Sequence, residues 1–162
     1  MSAKTEITKD LANKKLRVTR EFAAPVEKVW KAWTDVSLLE QWWAPKPWKA
    51  VSKSYDFSEG GFWLYCMSGP NGEAAWCRVN FKTIVPQQSF TSTALFCDEN
   101  GVIDPSFPAM HWLVTFQTVE AATRVIAELT FDSETDLEKI VAMGFEAGYT
   151  MALDNLDELL AA

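Results

Sequence analysis

Histidine is nearly missing from this sequence: His111 is alone among 162 residues. Cysteine is scarce as well, and Cys66, Cys77 and Cys97 stand 11 and 20 residues apart, without the paired C-x-x-C spacing that zinc or dithiol chemistry uses. One imidazole and three scattered thiols make no metal centre, so neither a metal nor a cofactor is expected. Also lacking are a Gly-x-Ser-x-Gly elbow, a dinucleotide glycine fingerprint, a P-loop and a His-Glu-x-x-His pair, the local motifs of several hydrolase, nucleotide-binding and metalloprotease families. No run of five basic residues occurs, and 15 Lys and Arg stand against 22 Asp and Glu for a net charge of -7. An acidic surface repels phosphate backbones and anionic lipid, so neither nucleic acid nor a membrane is expected as a partner. No apolar run is long enough to span a bilayer, and the first residues mix Lys, Glu, Asp and Thr without an apolar leader. The expected location is a reducing one, the cytoplasm.

Apolar material is what the chain does have: 48% of it is hydrophobic and 13% aromatic, with 8 tryptophans and 10 phenylalanines. That suffices for one core, and the length is short for two ordinary domains. Residues 1–14 are polar enough to form a flexible arm, leaving residues 15–162 as a single domain. Leu16–Phe22 alternates apolar and polar side chains as a half-buried strand does. Pro25 opens a short amphipathic helix through Val26, Val29, Trp30 and Trp33, and Asp35 and Ser37 cap a second through Leu38, Leu39, Trp42 and Trp43. Six strands follow, punctuated by Ser58–Gly61, Gly69–Gly72, Pro86–Gln88, Asp98–Gly101 and Glu120–Ala122. Together with Leu16–Phe22 they make about seven.

The closing stretch, Glu134 to Ala162, has no proline and reads as one long helix. At about 100° per residue, Leu137, Ile140, Val141, Gly144, Phe145, Gly148, Met151, Ala152, Leu156 and Leu159 share an apolar face. Gly144 and Gly148 are the anomaly, because each lowers helix propensity by about 1 kcal/mol relative to alanine. Two missing side chains one turn apart leave a groove beside Phe145, open either to close backbone approach or to a guest molecule. The fold class is therefore α+β, a curved antiparallel sheet of about seven strands wrapped around the last helix.

A sheet bent around a helix leaves a cleft, and strand parity turns large apolar residues toward it: Trp63, Tyr65, Met67, Val79, Phe81, Trp112, Val114, Phe116, Val125, Ala127 and Leu129. Parity within Ser89–Cys97 is ambiguous. The candidate cavity is lined by Trp63, Tyr65, Met67, Phe81, His111, Trp112, Val114, Phe116, Val125 and Ala127 from strands, and by Val141, Gly144, Phe145 and Gly148 from the helix. Trp30, Trp33, Trp42 and Trp43 suit core packing between the short helices and the sheet in preference to the alternative, a ligand cage, and Trp48 suits an entrance. His111 is either a strand-end histidine bonded to backbone or water, or a general base at the cavity mouth. No catalytic residue is assigned.

Several strings together resemble one family: EFAAPVEKVWKAWTDVSLLEQWWAP from Glu21 to Pro45, Gly60-Gly61-Phe62-Trp63, Met67 to Gly72, Ile84-Val85-Pro86, Thr123-Arg124-Val125, and Gly148-Tyr149 with Leu153 and Leu156. The chain is similar to homologues of the activator of the heat-shock-protein-90 ATPase, the AHSA-like family of the START-like or SRPBCC superfamily. The resemblance implies a helix-grip fold with an internal cavity between the sheet and the last helix. It departs from the family where Tyr149 replaces a frequent tryptophan, and where Phe62, Leu64 and Cys66 make apolar a strand face that is usually polar. That outer stripe is either a partner interface, a homodimer contact being the candidate, or a set of scattered surface apolar residues. Three functions are compatible with these features: binding of a small hydrophobic molecule in the cavity, which is preferred; a cyclase- or lyase-type cavity enzyme; and a co-chaperone-like interaction module.

Overall fold

Eight strands form a single antiparallel sheet: β1 (Glu6–Asp10), β2 (Lys15–Phe22), β3 (Lys49–Tyr55), β4 (Phe62–Ser68), β5 (Ala74–Val85), β6 (Ser89–Cys97), β7 (Met110–Val119) and β8 (Ala122–Thr130). Their spatial order is β1-β2-β8-β7-β6-β5-β4-β3. The structure, a computed structural model, describes residues 5–161. Every connection after β3 is a hairpin between neighbours, as short loops between alternating runs dictate. The one long crossing is the segment from β2, near one edge, to β3 at the other. Helices α1 (Val26–Thr34) and α2 (Val36–Trp42) make that crossing over the concave face, where α1 meets β7 and β8 and α2 meets β3. Asp35 caps α2 by accepting from the Ser37 amide at 2.9 Å. Among the described residues, no helix is long and apolar enough to cross a membrane.

The eighth strand is the first difference from the sequence reading. Residues 6–10 do not hang loose but pair with Lys15–Thr19 as β1, while the first four residues of the expected arm lie outside the described part. Polarity misled here because an edge strand with both faces near solvent needs no apolar alternation.

The closing helix differs more. It is two helices, α3 (Glu134–Ala142) and α4 (Phe145–Ala161), and Ala162 lies outside the described part. Gly144 adopts φ +88 and its amide donates to the Val141 carbonyl at 3.0 Å, the left-handed glycine cap that ends a helix. The Gly144 carbonyl then accepts the Gly148 amide at 3.1 Å, so the same residue opens α4. The break shifts the helical phase. Tyr149, Ala152, Leu153, Leu156 and Leu160 become the buried stripe of α4, and Met151, expected inside, is 46% exposed.

Inward faces otherwise follow the expected parity. Leu16, Val18 and Phe22 of β2 are buried with Val125, Ala127 and Leu129 of β8, and Arg20 occupies the remaining inward position of β2. Its guanidinium spans to α4, donating to Asp154 Oδ1 and Asp157 Oδ2 at 2.7 Å each. The helix is thereby fastened at its C-terminal half.

The outer stripe of β4 is not a free apolar patch. Leu64 and Cys66 are only 5% and 8% exposed. The β6–β7 loop folds back over this face: Gly101 lies against Leu64 and Arg78, and the Glu99 carbonyl accepts from Lys53 Nζ at 2.7 Å. Arg78 in turn stacks its guanidinium 4.1 Å from the centre of the Phe62 ring. The apolar stripe expected to meet a second copy is covered by the chain's own loop.

Candidate functional site

Between the concave face of the sheet and the helices lies a cavity of about 260 Å³. Its existence follows from side-chain size on β6. The inward residues there are Phe90, Ser92, Ala94 and Phe96, which resolves the ambiguous parity of this strand. Ser92 and Ala94 are small where β7 carries Trp112 beside Ser92 and β4, one strand beyond β5, carries Trp63, so the layer they face is left unfilled. At the closed end Trp33, Leu39, Trp63, Phe81, Phe90 and Val114 are all buried. Met67, Ala75, Phe96 and Met110, at one end of β4–β7, are partly or fully exposed, as are Pro45, Phe145 and Gly148. That gradient of burial marks the mouth.

Trp43, from the end of α2, is the hub of the walls. Its ring lies 6.0 Å from Trp63, 6.1 Å from Trp112 and 6.2 Å from Tyr149. Tyr149 and Phe145 stack at 5.4 Å, one turn apart on α4, and Trp63 stacks on Tyr65 at 3.9 Å. Edge-to-face and offset contacts of this kind hold rings in defined orientations. The cavity walls are therefore rigid aromatic surfaces.

Besides the indole N–H groups, three hydroxyls and one thiol reach these walls, while the Trp33 indole N–H is buried without a partner. The Tyr65 hydroxyl accepts from Trp43 Nε1 at 2.9 Å, and Cys77, its cross-strand partner on β5, lies against it. Burial drives the Tyr65 phenol well above its ordinary range, with the neighbouring Cys77 adding to the shift and the Trp43 hydrogen bond opposing it. Burial likewise pushes the Cys77 thiol up to about 12, against the opposing hydrogen bond to Tyr65. Burial alone raises the Tyr149 phenol. All three are neutral near pH 7, and a protonated thiol is a poor nucleophile. The fourth group is the Ser92 hydroxyl. Among the described residues, no Asp, Glu, Lys, Arg or His lines the cavity, and no cluster of three His, Cys, Asp or Glu is arranged to hold a metal ion.

Of the residues expected to line the cavity, Trp63, Tyr65, Met67, Phe81, Trp112, Val114, Phe145 and Gly148 are brought together around it. Phe116, Val125 and Ala127 point inward but belong to the core beside the cavity, Phe116 packing 5.1 Å from Trp30 under α1. Val141 is half-buried against that core and Gly144 is exposed. His111 faces the other side of β7. There Nδ1 meets Thr93 Oγ1 at 3.2 Å and Nε2 meets Asp132 Oδ1 at 3.0 Å, away from the cavity. Trp30 and Trp42 pack in the core as expected, whereas Trp33 and Trp43 reach through it to the cavity. Trp48 packs against the core and Pro45 takes the place expected for it at the mouth. Tyr149 was missed through the wrong helical phase, and Ser92 through the uncertain parity of β6. The alternation of Phe90, Ser92, Ala94 and Phe96 was the available signal.

A curved antiparallel sheet closed by a C-terminal helix over an apolar cavity defines a START-like, helix-grip protein. Residues 23–161 match the family model of the activator of Hsp90 ATPase homolog 1-like proteins, and the chain belongs to that family. A protein from Arthrobacter aurescens solved by NMR is similar over 96% of this chain and 91% of its own, with 32% identity and a TM-score of 0.91. A crystal structure from Mycobacterium smegmatis is 29% identical over 98% of this chain and 96% of its own, with a TM-score of 0.90. No significant match is found among curated proteins.

Proposed function

We propose that the protein binds a small hydrophobic molecule in the cavity between the sheet and α4. The observation that carries this reading is the cavity itself: about 260 Å³ enclosed by rings and aliphatic side chains, with an open mouth and no ionised group in its walls. An unfilled apolar volume is costly to maintain, since its lining forfeits dispersion contacts. A guest restores those contacts and removes its own apolar surface from water. General acid–base catalysis needs a group that exchanges a proton near neutral pH, whereas burial holds Tyr65, Cys77 and Tyr149 protonated. The walls thus favour a carrier or sensor over a cyclase-type enzyme. Three free cysteines suit a reducing compartment such as the cytoplasm.

Gly148 offers the test, because its missing side chain keeps the mouth open beside Pro45. Native mass spectrometry of the protein as purified, with extraction of any bound compound, is expected to show an apolar guest that Gly148→Leu loses. Where the purified protein is empty, titration with naphthalene replaces the natural guest. Failure of the unaltered protein to take up either naphthalene or 2-naphthol, or undiminished uptake by Gly148→Leu, would overturn the reading.

A further inference from the structure

The cavity is apolar except at a few points, and not all of those are spent: on its inner wall the Trp33 indole N–H is buried without a partner. The Tyr65 hydroxyl is engaged by Trp43. The hydroxyls of Ser92 and Tyr149 are different: among the described residues neither has a hydrogen-bond partner, although the side chains are only 4% and 6% exposed and both line the cavity. Both lie by the same ring. Ser92 is the cross-strand neighbour of Trp112, and the Tyr149 ring lies 5.4 Å from it. A hydroxyl that opens only onto an apolar cavity, with no partner in the protein, carries a cost that folding alone gives no reason to keep. Alanine at 92 and phenylalanine at 149 would fill the same space without it.

Resting on the binding reading above, we propose that Ser92 and Tyr149 form a polar subsite beside Trp112, and that the ligand is a small uncharged aromatic molecule carrying an oxygen that pairs with these hydroxyls. The ring character follows from the walls, whose tryptophan, tyrosine and phenylalanine faces offer stacking and edge contacts. The size follows from the volume: about 260 Å³ is somewhat under twice the ~150 Å³ that encloses benzene, room for two fused rings. Neutrality follows from the absence of any counter-charge in the lining, since an unpaired ion buried there is strongly disfavoured.

Naphthalene, 2-naphthol, 2-naphthoate and trimethyl(2-naphthyl)ammonium separate these elements, with dissociation constants followed through the tryptophan indole N–H signals. A cavity without a polar subsite prefers naphthalene, because the naphthol hydroxyl would lose its water. The subsite reverses that order, and 2-naphthol is expected to bind about three- to tenfold more tightly than naphthalene, the worth of one net hydrogen bond. Ser92→Ala and Tyr149→Phe each reduce the ratio, and the double variant brings it to one or below. In the unliganded state neither substitution lowers the thermal midpoint, since no hydrogen bond within the protein is lost. Four results would overturn the subsite: naphthalene binding as tightly as naphthol, a preference that survives the double variant, a charged analogue binding as tightly as naphthol, or a drop in unliganded stability. Uptake of naphthalene without preference for naphthol refutes the subsite alone. Uptake of neither refutes the cavity as a binding site as well.

Discussion

Replacing each of two glycines by alanine, four residues apart, is expected to move stability in opposite directions. Gly148 sits in the first turns of α4 with ordinary helical backbone, and a Cβ there would meet only Pro45 Cγ at 3.9 Å. Gly148→Ala therefore gains helix propensity and loses unfolded-chain entropy, a stabilisation of roughly 0.5–1 kcal/mol. A Cβ on Gly144 would meet nothing within 4 Å, yet φ is +88. There the backbone alone sets the sign. An L-residue held in the left-handed region costs about 1–2 kcal/mol, which exceeds the entropic gain of alanine, so Gly144→Ala destabilises by about 1 kcal/mol. For a domain of this size about 1 kcal/mol corresponds to 2–4 °C in midpoint. Differential scanning calorimetry should show Gly148→Ala above and Gly144→Ala below the unaltered protein, with Gly144→Asn intermediate because asparagine tolerates this conformation. Were Glu134 to Ala161 one continuous helix, both alanines would raise the midpoint. That result would refute the break between α3 and α4 and, with it, the placement of Phe145 and Tyr149 at the cavity.

Arg20→Lys should lower stability by about 1.5–3 kcal/mol in urea unfolding, because a single ammonium cannot serve two carboxylates on successive turns as the guanidinium fork does. Most of that comes from Asp157, 26% exposed, rather than Asp154 at 60%; a loss under about 0.5 kcal/mol would place the pair among ordinary surface ion pairs. Stability should also depend on pH at both extremes. Burial raises the phenols of Tyr55, Tyr65 and Tyr149 and the Cys77 thiol, to about 12 for the thiol. In the unfolded chain these groups ionise at their ordinary values of about 8.5–10. Their contribution is thus complete below about pH 8.5 and is lost as pH rises through the folded values. Hydrogen bonds from Asn13, Ser37 and Ser106 lower Asp10, Asp35 and Asp104, so that contribution is present above about pH 4 and lost on acidification. The midpoint should be flat between these limits, and Tyr149→Phe should make the alkaline decline shallower; an unchanged alkaline limb would contradict the burial of that phenol.

Local chemistry in the sequence was enough for the elements from β2 to β8 and for most inward faces. Proline at 25, the Asp35 cap, the Asn71–Gly72 turn and the period-two alternation of β2, β4, β7 and β8 each act within a few residues, where backbone preference and amphipathicity decide the outcome. The family resemblance rested on the same local strings, and with it came the grip of sheet on helix. What depended on distant partners was not legible. Glu6–Asp10 becomes a strand only because β2 presents a free edge. The alternation that turns Trp112 and Val114 inward already places His111 on the other face of β7, but its partners there, Thr93 and Asp132, come from other segments. Gly144 reads from sequence as a weak helical residue; its left-handed backbone is favoured where α3 must end and α4 must start again over the mouth. The cavity depends on tertiary structure most of all. Ser92 and Ala94 are unremarkable in a strand, and they create space only because Trp43, Trp63, Trp112 and Tyr149 converge on them from elements far apart in the chain. Sequence determines which side chains face inward, while the volume left between them is a property of the assembled layers.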